Sequence, residues 1–111
     1  MASYLTRKYS LAYPSPVTDV FDALASESRR RILDELSDRN GQALYELCAR
    51  LTMKHGLNLT RQAVSQHLDV LESAGLVRSA REGRYKFHYI DTGPLEEAVR
   101  RWDTSQQEEG E

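Results

Sequence analysis

A single cysteine, Cys48, is all the thiol the chain carries, so no intrachain disulfide framework can form. No apolar run approaches the roughly 18 residues that a membrane-spanning helix needs. Residues 1–13 lack the apolar core and small-residue cleavage site of a secretion signal. Together these absences point to the cytoplasm, with no membrane partner. Catalytic patterns are missing too. There is no set of nucleophile, base and orienter, no phosphate-binding glycine loop and no clustered metal donors. The three histidines, His55, His67 and His88, fall on a loop, a helix and a strand without a chemical pattern. The chain does not read as an enzyme, and no cofactor or metal is expected.

What is present describes one globular domain. The chain has 111 residues, 40% of them hydrophobic and 29% charged, enough to bury a core but with little surplus. The net charge of −2 argues against a general polycation. Its distribution says more. Residues 54–89 carry six Lys or Arg against three acids, and residues 90–111 carry two Arg against seven acids. A basic unit beside an acidic tail suits a protein that meets a polyanion with one face.

In chain order, residues 1–16 read as an irregular extension, because Pro14-Ser15-Pro16 forbids a helix across it. A short helix with Val17, Val20, Phe21 and Leu24 on one side follows. Ser26 caps a second helix reaching about Leu36, with Ile32, Leu33 and Leu36 inward. Its Arg29-Arg30-Arg31 run is either a solvated face or a set of phosphate contacts. A third helix is expected over 42–51, with Leu44, Leu47, Cys48 and Leu51 inward. The connection 52–59 is longer than a usual helix-turn-helix turn. Either the third helix runs on and stops at Gly56, or an extra loop intervenes.

Residues 60–90 organise the rest. Thr60 is a good N-cap. Val64, Leu68, Leu71 and Ala74 then form one apolar stripe, and Gly75 closes the helix. Away from that stripe lie Arg61, Gln62, Ser65, Gln66 and Asp69, side chains suited to hydrogen bonding. The period then changes to two. Glu82-Gly83 supplies a turn, and the aromatics of 85–89 alternate with Lys86 and His88, which predicts a strand with one buried face. Arg81, Arg84 and Lys86 crowd the hairpin tip. Beyond it, Pro94 suits the first turn of a last helix whose stripe is Leu95, Val99 and Trp102. Residues 105–111 form an acidic tail.

The run from Val64 to Val77 resembles the V-S-x-H-L-x-x-L-x-x-A-G-L-V pattern of the ArsR family of winged helix-turn-helix repressors. Arg81-Glu82-Gly83-Arg84 with Tyr89 looks like that family's wing. Residues 21–25 and 29–33 look like its first two helices. The resemblance implies a mainly α protein with a small β-hairpin (α+β): about five helices and a wing over residues 17–104. It implies a sequence-specific transcriptional regulator, a repressor that binds an inverted-repeat operator in double-stranded DNA as a homodimer.

Thr60, Arg61, Gln62, Ser65 and Gln66 are then the candidates on the recognition helix, where Arg and Gln pair bidentately with base edges. Arg81, Arg84 and Lys86 are the candidates for phosphate or minor-groove contact by the wing. Val17, Val20, Phe21 and Leu24, with Leu95, Val99 and Trp102, form two apolar stripes left over once the core is supplied. Such a patch marks an interface, and ArsR-like proteins pair through these two helices. The alternatives are a winged-helix module that binds protein only and a metal- or redox-responsive repressor. The family's E-L-C-x-C metal site survives here only as Glu46-Leu47-Cys48, with Arg50 in place of the second cysteine. A second family site lacks its histidines, since none lies beyond His88. The effector is not legible.

Overall fold

Side-chain caps open the first two helices. The Asp19 carboxylate accepts from the Phe21 N–H at 3.1 Å and starts α1 (Val20–Leu24). The Ser26 hydroxyl accepts from the Arg29 N–H at 3.3 Å and starts α2 (Glu27–Asp38). The structure, a computed structural model, describes residues 19–103. The expectations for residues 1–16, for Val17 and for the tail 105–111 lie outside them.

Residues 42–43 depart from the expected third helix. They form a two-residue strand, β1 (Gln42–Ala43), and the helix α3 (Leu44–His55) starts behind them. Glu46 reaches back to accept from the Ala43 N–H at 2.9 Å, which fixes this start. The far end of α3 answers the open question about 52–59. The helix continues to His55 and stops at Gly56, whose φ of 68° suits a residue without a Cβ. Thr52 then donates to the Leu57 carbonyl at 3.2 Å, and Leu57 and Leu59 pack on the core. No extra loop is needed, and the turn before the next helix is short.

Thr60 caps α4 (Arg61–Ser73), accepting from the Ala63 N–H at 3.0 Å. Leu76 N–H bonds to the Leu71 carbonyl and Gly75 N–H to that of Glu72, both at 2.9 Å, closing the helix in a Schellman motif. The hairpin follows as β2 (Val77–Glu82) and β3 (Tyr85–Ile90). The turn is Gly83-Arg84, one residue later than expected. The sheet is antiparallel in the order β1-β3-β2, with Gln42 opposite His88 and Arg81 opposite Lys86. Helix α5 (Gly93–Arg100) has Pro94 in its first turn.

The hairpin buries the opposite face from the one its aromatics suggest. Ile90 and its partner Val77 lean on the core, His88 is buried, and Lys86 and Arg81 carry the same face out to the tip. Tyr85, Phe87 and Tyr89 point the other way, and Tyr85 is exposed. The polar residue goes inward because β1 waits there: His88 Nδ1 lies 3.0 Å from the Gln42 carbonyl. The core itself is the expected one: Ile32, Leu33, Leu36, Leu47, Leu51, Val64, Leu68, Leu71 and Leu76 are buried. Leu44 is half-buried against it.

Candidate nucleic-acid interface

Burial of Val64, Leu68 and Leu71 turns the opposite side of α4 to solvent. Arg61, Gln62 and Gln66 stand exposed on that side, and Ser65 is half-buried among them. Thr60 is committed to its cap. At the hairpin tip Arg81, Arg84 and Lys86 are all exposed. Arg81 and Lys86 are direct cross-strand partners, an arrangement of like charges that weakens a hairpin. Among the described residues, none of Arg61, Gln62, Gln66, Arg81, Arg84 and Lys86 spends its side chain on a hydrogen bond or ion pair.

The other basic run behaves differently. Arg29 donates to the Ala23 carbonyl at 2.8 Å and the Asp22 carbonyl at 3.1 Å, and Arg30 donates to the Leu24 carbonyl. These guanidiniums satisfy the carbonyls at the C-terminal end of α1. Arg31 pairs with Glu27 at 3.5 Å and Asp34 at 3.7 Å on its own helix. The run is therefore neither idle nor free for phosphate; each member has an internal partner. Arg29 also lies 3.3 Å from His67 Nδ1. Burial, with the Arg29 charge beside it, lowers the pKa of His67, so the neutral imidazole accepts and ties α2 to the recognition helix.

A second polar assembly was not expected from the sequence. Glu35 is fully buried on the inward side of α2. Its carboxylate accepts from Gln42 Nε2 at 3.0 Å and His55 Nε2 at 3.1 Å, and it lies 3.1 Å from Lys54 Nζ. Arg50 donates to the Gln42 amide oxygen at 2.6 Å. The cluster locks α2, β1 and the far end of α3 into one frame, which sets where α4 stands. One signal was available: Glu35 lies at i+3 from Ile32 and next to Leu36, on the apolar stripe.

Burial pushes the Cys48 thiol pKa up, with the Arg61 charge pulling the other way, so the thiol form is favoured. Among the described residues, no three His, Cys, Asp or Glu gather where they could hold one ion. Between α3, α4 and the hairpin runs a half-open groove of about 220 Å³, lined among others by Tyr45, Arg61, Ser65, Arg84, Lys86 and His88.

The apolar stripes of α1 and α5 meet each other. The Phe21 and Trp102 rings are edge to face at 6.1 Å, while Val20, Leu24 and Leu95 lean on the core. Phe21, Val99 and Trp102 remain 48%, 65% and 61% exposed.

Known proteins share this arrangement. A helix-turn-helix domain model matches residues 24–80. The HTH-type transcriptional regulator YuzN of Bacillus subtilis strain 168 is 49% identical over 83 residues, covering 75% of this chain and 90% of that protein. The transcriptional repressor SdpR of the same organism is 26% identical over 83 residues, 75% of this chain and 84% of that one. The solved structure of an ArsR-like transcriptional regulator from Rhodococcus sp. RHA1 superposes with a TM-score of 0.63 at 31% identity, over 80% of this chain and 77% of that one. Fold and relatives are those of transcriptional regulators and not of enzymes. The chain belongs to the ArsR family of winged helix-turn-helix transcriptional regulators.

Proposed function

We propose that the protein is a repressor that binds an inverted-repeat operator in double-stranded DNA as a homodimer. The observation that carries this reading is the pairing of an uncommitted hydrogen-bonding helix face with an uncommitted cationic hairpin tip. Arg61, Gln62, Ser65 and Gln66 read base edges in the major groove, where Arg suits guanine and Gln suits adenine. Thr60 holds the helix start against the backbone. Arg81, Arg84 and Lys86 neutralise phosphates beside the adjacent minor groove, adding affinity and salt dependence more than sequence choice. The like charges at Arg81 and Lys86 make sense when a polyanion lies between them.

The dimer reading rests on the exposed patch of Phe21, Val99 and Trp102, flanked by Val20, Leu24 and Leu95, with Val17 as the preceding position of the stripe. A second copy covering this patch sets two recognition helices in successive major grooves, about 34–36 Å apart. The repressor assignment draws support from the likeness to a relative named as a repressor. Cytoplasmic location fits a DNA partner, and no helix among the described residues is long and apolar enough to cross a membrane.

The test is a titration with mixed genomic DNA at two salt concentrations. Affinity should fall steeply as salt rises. A protein with no DNA affinity at low salt would instead be a winged-helix module for protein partners.

A further inference from the structure

Three of the exposed large apolar side chains, Phe21, Val99 and Trp102, belong to the patch already given to a second copy. Two others, Tyr45 and Tyr85, do not. They are 55% and 52% exposed and stack on each other with ring centroids 5.9 Å apart. Phe87 continues the row, 6.3 Å from Tyr85 on the outer face of β3. The chain path explains the pairing. Strand β1 pairs with β3 only at His88 and Phe87, and it ends at Ala43. Tyr45, in the first turn of α3, then lies against Tyr85, beyond the last β1 pair.

The surroundings decide what such a pair meets. The tyrosines border the groove between α3, α4 and the hairpin, with Arg61 and Ser65 on its α4 side and Arg84 at the hairpin tip. Both flanks are therefore basic, and neither Arg61 nor Arg84 has an internal partner among the described residues. The hydroxyls of Tyr45 and Tyr85 are equally uncommitted there. Neutral donors set between unpaired cations suit phosphate oxygens. Asp69 and Glu72 line the same groove about two and three turns further along α4. Their charge disfavours phosphate at that end. A polyanion is thus directed to the Arg61 end, where the tyrosines stand.

We propose that Tyr45 and Tyr85 form a third DNA contact, which grips the sugar–phosphate backbone of one strand between the recognition helix and the wing. The proposal rests on the DNA-binding reading above. A strand that touches both Arg61 and Arg84 crosses the mouth of the groove and passes the tyrosine pair. There the hydroxyls donate to phosphate oxygens, and the rings cover deoxyribose C–H groups. The contact is independent of sequence, so it positions the duplex and does not select the operator. It differs in kind from contact by arginine. A neutral hydroxyl releases no counterion, so it adds affinity without adding salt dependence.

The experiment measures affinity for sheared genomic duplex DNA at a series of salt concentrations. It compares the wild-type full chain with Tyr45→Phe, Tyr85→Phe, a Tyr45→Ala, Tyr85→Ala double variant and Arg84→Ala. Urea unfolding of each variant checks that the fold is kept. The Phe variants retain the stacked rings, so they carry the test even if the double variant is unstable. Each Phe variant should bind about three- to tenfold more weakly, and the double variant more weakly still. Their plots of log affinity against log salt should run parallel to wild type, whereas Arg84→Ala should flatten the slope. Phe variants that bind as wild type does would overturn the contact and leave the pair to a protein partner. A slope flattened as in Arg84→Ala would overturn it too. Wild type with no DNA affinity at low salt would instead be the failure of the DNA-binding reading itself, seen before any variant is compared.

Discussion

Two basic sets in this protein look alike in sequence and do opposite things in space. Arg29, Arg30 and Arg31 sit side by side, and each finds an internal partner: carbonyls of α1, the imidazole of His67, or carboxylates on its own helix. Arg61, Arg81, Arg84 and Lys86 are scattered over 26 positions of the chain. The fold gathers them around one groove and hairpin tip and gives them no partner among the described residues. Density of basic residues along a chain is therefore a poor guide to a nucleic-acid surface. A cation that already holds a helix end has little left for phosphate, because moving it exposes buried acceptors. A cation with no internal bond can meet phosphate without losing one.

A further cation with internal partners is Lys54, which joins His55 and Gln42 on Glu35. Removing that carboxylate should have the largest effect in the molecule. Glu35→Ala removes the carboxylate shared by His55, Lys54 and Gln42, leaving His55 Nε2 without its partner, and should destabilise by about 3–5 kcal/mol, read from urea unfolding. The pH dependence follows from the shift. Burial raises the carboxyl pKa of Glu35, but hydrogen bonds from Gln42, His55 and Lys54 outweigh it, and the net shift is downward. A carboxylate with a lower pKa folded than unfolded contributes stability above its unfolded value and loses it as pH falls through the folded one. Wild type should lose this contribution below the ordinary value of 4.5, and Glu35→Ala should lack that part of the acid sensitivity.

The next effect concerns the patch that fits neither set. Wild type should sediment as a dimer at micromolar concentration and a Phe21→Asp, Trp102→Ala variant as a folded monomer, a loss of about 2 kcal/mol or more. An unchanged mass would remove the patch from the interface. Arg29→Ala then sharpens the contrast between the basic sets. It leaves the Ala23 carbonyl without its donor and should lower stability by about 1–3 kcal/mol. Arg84→Ala should stay within about 0.5 kcal/mol of wild type in the same unfolding measurement. Gln62→Ala or Gln66→Ala should leave stability alone and relax preference for the operator by about 1–3 kcal/mol each, measured against a scrambled site.

Helix α4 was fully legible in the sequence, because the cap, the stripe spacing and the stop are each set by residues about one turn apart. The hairpin was legible as a hairpin, but not its inward face. Tyr85, Phe87 and Tyr89 look like a buried stripe by periodicity. The deciding contact is His88 with Gln42, 46 positions away. Strand β1 was hidden for a related reason: two residues have no period, and Gln42-Ala43 continues smoothly into the helical stripe of α3. Glu35 sat in view on an apolar stripe, but its partners come together only in the fold. The candidate contact residues were legible as polar and basic. Their freedom from internal partners, which separates them from Arg29, Arg30 and Arg31, depends on tertiary geometry that no local pattern encodes.

The most direct test of that contrast is the slope of DNA affinity against salt for wild type, Arg84→Ala and Arg31→Ala. Arg31 is the suitable control, since its pairs with Glu27 and Asp34 are exposed and contribute little to stability. Removing one cation that sits on a phosphate should flatten the slope by about one. Arg84→Ala should therefore show a flatter slope and weaker binding to all sequences alike, while Arg31→Ala should overlay wild type. Equal slopes for wild type and Arg84→Ala, or a flattened slope for Arg31→Ala, would contradict the account.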